Sequence, residues 1–353
     1  MKLTRKQFLR SAGAVAATFA LRPVIRFTKD VIADSAPRYN IICIITDDQD
    51  YDSLRVMRHL RSYPHGSWLE FDNFVCNDGI CGPSRASLYT GLYTRNHGIT
   101  SNGLSKTFNS ETHSLPVWMK SAGYTTAMIG KYLYGASRIN PKPPGWDVFN
   151  KGGHINSVQT QVMEYLKTVQ EPFFLIAAPV DPHIRARPLS KYRQTPVWVP
   201  ETDPPSFYED VSDKSSWVKK HQNPLGRIKS LRLERIRAHQ ALLGVDDFIQ
   251  AVVDNLVTEN MLDNTVICFL SDNGFLWGEH GLVRKHWHYE EAIHVPLLMR
   301  YPGLGGGESS GKSRCRDGRP SADVCRHSRG CTLETAGRSQ FVANHTRPDR
   351  LLG

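Results

Sequence analysis

Apolar residues fall along this chain in two rhythms. The first is a set of short, continuous runs: "YNIICIIT" (Tyr39–Thr46), "TTAMIG" (Thr125–Gly130), "PFFLIAAPV" (Pro172–Val180), "NTVICFLS" (Asn264–Ser271) and "VPLLMR" (Val295–Arg300). They lack the polar alternation of a half-exposed strand, so they predict strands buried on both faces, as in a parallel sheet. The second rhythm is helical spacing between those runs. It covers "SRASLYTGLY" after Pro83, "SLPVWMKSAG" (Ser114–Gly123), "INSVQTQVMEYLKTV" (Ile155–Val169) and a long stretch from Ile228 to Glu259. Ser114 and Gly123 stand where a helix cap and a helix stop belong. Strands alternating with helices predict an α/β layered fold, a mostly parallel central sheet flanked by helices. Pro182 to Pro224, rich in proline and charge, reads as a long loop over the polar edge.

Polar sites in such sheets lie beyond the carboxyl ends of the strands. That rule singles out Asp47 and Asp48, Lys131, Asp181 and His183, and Asp272 and Asn273. With 353 residues, the chain can bury a substantial core. Its formal charge of +10 invites a polyanion-binding reading until the charge is located. Residues 1–40 carry a net +6 and residues 304–353 a net +4, so residues 41–303 are neutral. The folded part therefore has no general basic surplus and no nucleic-acid partner is expected, although a local cationic pocket stays open.

The N-terminus is basic, "TRKQFLR", then weakly apolar, "SAGAVAATFAL". This is export-signal grammar, and the run is too short to span a bilayer. It resembles a twin-arginine signal with Lys6 in place of the second arginine, so a periplasmic or extracellular location is expected. No stretch reaches the roughly 20 apolar residues of a membrane span. The expected division is an export signal and linker over 1–36, a catalytic domain over 37–303, and an atypical tail over 304–353. In that tail periodicity is lost and three of the seven cysteines gather. A lost natural frame or C-terminus would explain its composition. With no CxxC pair, zinc or iron–sulfur clustering is not expected. Cys43 and Cys268 lie in apolar runs and read as buried small hydrophobes.

Asp47, Asp48, Asp272 and Asn273 offer three carboxylates and an amide oxygen, hard ligands that suit Ca²⁺ or Mg²⁺. The alternative is that each pair caps a turn. Adjacent carboxylates repel unless a cation sits between them. Arg85 lies four residues after Cys81, on the same side of a helical turn. With Lys131, His183 and Lys285 it would form a cradle for an oxyanion.

"CGPSR" at Cys81–Arg85, continued as "ASLYTG", resembles the signature of the type I sulfatases of the alkaline phosphatase superfamily. "TDDQ", "GK" at Gly130–Lys131, "PH" at Pro182–His183, "SDNG" and "GEHGL" follow in the family's order. The resemblance covers about Asn40 to Gly303. It implies an alkaline-phosphatase-like fold and a sulfuric ester hydrolase. It also implies that a separate maturase oxidises Cys81 to formylglycine, whose hydrate attacks sulfur and then eliminates sulfate. By the same resemblance, Asp47, Asp48, Asp272, Asn273 and the modified Cys81 hold calcium, with magnesium as the other hard divalent ion. Arg85 steadies the modified residue and the metal, Lys131 and Lys285 bind sulfate, and His183 lies at the leaving-group oxygen. The chain departs from the common Gly-Lys-Trp-His-Leu-Gly form: it reads "GKYLYG", with Leu133 at the histidine position. That form is similar to glucosamine-6-sulfatases and heparan endosulfatases. It implies sulfated sugars as substrates, and His97 or Asn102 as further pocket residues. Family members also continue into a C-terminal subdomain, which here is expected to be short or missing. The alternatives are a phosphodiesterase or phosphonate monoester hydrolase of the same superfamily, and a truncated, inactive relative with unmodified Cys81.

Overall fold

A computed structural model of the chain describes residues 38–302, apart from 63–67, 109–112, 135–141, 201–203 and 224. The stretches expected to be an export signal and an atypical tail lie outside the described residues. Each apolar run contains a strand: β1 Asn40–Thr46, β3 Thr125–Gly130, β5 Phe173–Ala178, β6 Thr265–Ser271 and β7 Leu297–Arg300. Two further short strands, β2 Leu69–Glu70 and β4 Val148–Lys151, are only partly buried and leave no apolar run to read. All seven form one sheet in the order β2-β7-β6-β1-β5-β3-β4. The five strands from β6 to β4 pair in parallel, and β7 and β2 add an antiparallel edge.

Helices cover both faces. Those used below are α1 Cys81–Thr90, α2 Leu115–Ser121, α3 Ile155–Leu166, α4 Ser216–Lys220 and α5 Leu225–Thr258. Ile42 and Ile44 of β1 point into one apolar cluster with Val158 and Val162 of α3 and Leu242, Val245, Phe248 and Val252 of α5. Ile45, Met128 and Ile176 point into the other, with Ala86 and Tyr89 of α1. Alternate strand positions therefore feed opposite cores, so the strands read as unbroken apolar runs. Burying one such aliphatic side chain contributes about 1.5–3 kcal/mol.

Helix α1 begins at Cys81, three residues before Ser84, where the spacing placed it. Pro83 falls in the first turn, where its missing N–H breaks no helical hydrogen bond. The helix stops at Gly91, whose φ of 67° is left-handed. Within 182–224, the described residues are irregular except for two 3₁₀ turns and the short helix α4.

Candidate active site

Because β1, β3, β5 and β6 run parallel, their carboxyl ends share one edge, and the residues after each strand meet there. Asp47 and Asp48 follow β1, Lys131 follows β3, Asp181 and His183 lie beyond β5, and Asp272 and Asn273 follow β6. Asp48 takes a left-handed φ of 65°, a conformation that costs a residue with a Cβ about 1–3 kcal/mol. Its amide reaches Asp272 Oδ1 at 3.3 Å. Gln49 N donates to Ser271 Oγ (3.0 Å), and that hydroxyl donates to Asn273 O (2.9 Å), tying the two strand-end loops together. Neither Gln49 nor Ser271 is singled out by charge or spacing, although they stand inside the motifs "TDDQ" and "SDNG".

The first residue of α1 enters this edge. Cys81 Sγ lies 3.6 Å from Lys285 Nζ and donates to Asn102 Oδ1 at 3.5 Å. Asn102 Oδ1 also accepts from Gly82 N (2.9 Å), occupying one free amide of the helix start. A Cβ at Gly82 would fall 2.6 Å from that oxygen and 2.3 Å from Ser105 Oγ, so a larger residue there would have to displace both side chains. Arg85, one turn on and fully buried, donates to Asp272 Oδ2 (2.6 Å), Lys131 O (2.5 Å) and Thr46 O (3.5 Å). Lys131 pairs with Asp47 Oδ2, and Lys285 pairs with Asp48 Oδ1 at 2.7 Å. His183 Nε2 stands 3.5 Å from Asp48 Oδ2.

The electrostatics follow from burial against these partners. Burial alone would raise the Asp47 carboxyl, but Lys131, Lys285 and Arg85 together hold it well below the usual carboxylate range. Burial would lower Lys131 and Lys285; the facing carboxylates win and raise both. Burial pushes the Cys81 thiol up despite the two lysines, so it stays protonated rather than a reactive thiolate.

Three buried oxygens in this cluster accept no hydrogen bond: Asp47 Oδ1, Asp48 Oδ2 and Asn273 Oδ1. Unpartnered buried oxygens are costly and rare. One ligand atom each from Asp47, Cys81 and Asp272 can lie within 4.8 Å of one another, and the same holds for Asp47, Asp48 and His183. The donor set and its orphaned oxygens fit a hard divalent cation held by Asp47, Asp48, Asp272 and Asn273, with residue 81 beside them.

Two expected pocket residues part company. Asn102 is at the centre, on Cys81. His97 is bonded instead to Ser87 Oγ (2.9 Å) and to Ile99 N (3.1 Å), so both its ring nitrogens are engaged away from Cys81. The short helix carrying it, Thr94–His97, is tied to α1 through that bond to Ser87. Leu133 is 3% exposed in an apolar cluster, so the histidine position of the common motif is here part of the core.

The family model described as Sulfatase matches residues 39–313. The chain belongs to the sulfatase family. Among curated relatives, it is 28% identical over 324 residues to the extracellular sulfatase SULF-1 homolog of Drosophila melanogaster, covering 79% of this chain and 29% of that protein. It is 27% identical to human N-acetylglucosamine-6-sulfatase, covering 77% and 58%. The chain thus spans well under two thirds of the length of these relatives. Among solved structures, BT4656 in complex with its substrate D-glucosamine-2-N,6-O-disulfate aligns with a TM-score of 0.62 at 22% identity, covering 75% of this chain and 71% of that one. The phosphonate monoester hydrolase of Silicibacter pomeroyi aligns at 0.59 and 19% identity, covering 75% and 68%. These likenesses establish the alkaline-phosphatase-like fold expected of a sulfatase. No helix of the described residues is long and apolar enough to cross a membrane.

Proposed function

We propose that this sulfatase-family chain hydrolyses sulfate esters of sugars, with Cys81 as the precursor of a formylglycine made by a separate maturase. The observation that carries this reading is the set of three buried oxygens that accept no hydrogen bond, Asp47 Oδ1, Asp48 Oδ2 and Asn273 Oδ1, in a site where Asp47 and Asp272 also cluster with Cys81. A bound calcium ion and the hydrated aldehyde would supply an activated oxygen nucleophile, which a protonated thiol is not. The rest of the chemistry belongs to the side chains. Lys131 and Lys285 flank Cys81 and neutralise the oxygens of an incoming sulfate. Arg85 fixes Asp272 and the Lys131 carbonyl, which holds both sides of the pocket in register. His183, 38% exposed at the pocket rim, can give a proton to the departing alcohol oxygen. Asn102 holds the group at position 81 by its carboxamide oxygen.

The substrate class rests on relatives: the N-acetylglucosamine-6-sulfatases among them, and the glucosamine disulfate bound to BT4656. Export through the twin-arginine-like N-terminus agrees with relatives named as extracellular. The deciding experiment is the mass of the Cys81 peptide from protein made with a working maturase. The mass of an aldehyde is expected; a thiol alone overturns the reading and favours an inactive relative. Phosphonate monoester hydrolysis is the second reading, favoured by the likeness to two such hydrolases. Comparing a sulfate and a phosphonate ester of the same phenol separates them: faster sulfate release is expected.

A further inference from the structure

Beside the pocket, the described residues build an aromatic and cationic shelf that the chemistry above does not use. Trp217 of α4 stacks flat on Trp287, ring centroids 5.4 Å apart and planes 11° from parallel. His221 tilts against Trp287 at 5.0 Å. Trp217 nonetheless stays 45% exposed, so much of its ring faces solvent rather than a core. Lys219, Lys220 and His221, at the end of the same helix, are exposed, as is His286. Of the acids in the neighbouring segment, Glu209 pairs with His280 and Lys214, and Asp210, bonded to Ser212, faces Lys214 and Lys219.

The shelf is fixed to the site. Trp287 is two residues from Lys285, whose ammonium touches Cys81, and two residues span at most about 7 Å of chain. His286 N donates to Gly79 O (3.1 Å), which joins this segment to the strand of chain entering α1. Lys285 and Asp48 are both electrostatic neighbours of His286. Helix α4 is held by the buried Val218, by Gln222 Nε2 donating to His280 O (2.9 Å) and by Asn223 N donating to Gly281 O (2.9 Å).

A rigid, solvent-facing indole presents an apolar face, which suits the C–H face of a sugar ring; the flanking lysine ammoniums suit its sulfate or carboxylate groups, and the imidazoles can hydrogen-bond its hydroxyls. We propose that Trp217 and Trp287, with His221, Lys219, Lys220 and His286, form a subsite for the sugar next to the one being desulfated. The substrate is then an anionic oligosaccharide rather than a single sulfated sugar. The inference rests on the sulfatase reading for its substrate class.

The test compares Trp217→Ala, Trp217→Phe and a Lys219→Ala/Lys220→Ala double variant on three substrates: a sulfated glycosaminoglycan hexasaccharide, a sulfated glucosamine and an aryl sulfate. Trp217→Ala is expected to lower kcat/KM for the hexasaccharide about tenfold and to leave the other two within about twofold, with Trp217→Phe retaining most of the difference. The lysine variant should weaken hexasaccharide binding and flatten its salt dependence. Equal loss on all three substrates, or no loss on the hexasaccharide, overturns the subsite. If the unsubstituted protein releases sulfate from none of them, the sulfatase reading falls. Calorimetric titration with the hexasaccharide then decides the shelf alone: binding that Trp217→Ala weakens supports it, and binding unchanged in that variant overturns it.

Discussion

Cys81 meets two side chains of different chemistry, the carboxamide of Asn102 and the ammonium of Lys285. Cys81→Ala removes the proposed formylglycine precursor but little packing, so a fold close to the parent and no turnover are expected; sulfatase activity retained in this variant would refute the assignment. Asn102 acts through Cys81. Its oxygen meets both the thiol and the Gly82 amide, so Asn102→Ala frees a helix-start donor and loosens position 81 at once. Stability should drop by about 1 kcal/mol, the cost typical of a lost N-terminal cap. The catalytic loss should appear in kcat, at roughly tenfold or more, with KM nearly unchanged, because the interaction lies with the reacting group rather than the sugar. A rise in KM at constant kcat would make Asn102 a substrate-binding residue instead. Residue-level legibility was uneven for a physical reason. Charged residues after buried strands declare themselves, whereas Asn102 and His97 sit in one polar stretch and nothing local separates the residue facing Cys81 from the one facing Ser87.

Among the elements, the strand ends set the precision of the site. Gly130 closes β3 at φ 119°, and a Cβ there would fall 2.1 Å from Ala178 O of the neighbouring strand. Gly130→Ala must therefore spread β3 from β5 just where Lys131 leaves for Asp47. A loss of about 2 kcal/mol or more is expected by denaturant titration, together with a weakened hold on sulfate, measured as a raised inhibition constant for free sulfate. The long apolar strands and helices α3 and α5 were legible in the sequence because burial on both faces, or on one stripe, leaves an unmistakable period. Strands β2 and β4 were not, since two and four half-exposed residues carry no period at all. The helical pattern reads from Ser84 onward, three residues after the true start of α1, although proline is tolerated inside a first turn. The loop after β6 holds a further titratable element. Glu279 is 6% exposed, and burial pushes its carboxyl up to about 7, against its own backbone amide and Arg235. Between about pH 4.5 and 7 the folded chain keeps a proton there that the unfolded chain has lost, so stability falls as pH rises through that window and is level above it. Glu279→Gln should remove about 2–3 kcal/mol of that slope, read from urea midpoints across the window. An unchanged slope in the variant would place the titration elsewhere.

At the scale of the whole molecule, the site is a problem of charge balance inside a neutral fold. Residues 41–303 carry no net charge, so no general field draws an anion to this edge. Within the pocket, Asp47, Asp48 and Asp272 face Arg85, Lys131 and Lys285, three charges of each sign. This cluster is balanced by itself and has little reason to bind sulfate. A divalent cation on the orphaned oxygens of Asp47, Asp48 and Asn273 would leave a surplus of two positive charges, which matches the charge of the sulfate released. Ion and anion should therefore bind cooperatively, and the ion should bind the folded chain alone, because the ends of β1 and β6 must meet to assemble its ligands. A ligand specific to the folded state at about 100 times its Kd adds roughly 2.7 kcal/mol of stability. Adding Ca²⁺ to chelator-treated protein is expected to raise Tm by several degrees, and a chelator to reverse it. Free sulfate should raise Tm further only when the ion is present. In Asp48→Asn the cluster loses one negative charge and the rise with Ca²⁺ should shrink sharply, while the variant keeps its secondary structure by circular dichroism. A Tm that ignores both Ca²⁺ and Mg²⁺, or a sulfate effect of equal size without the ion, would show that the lysines and arginine alone form the anion site.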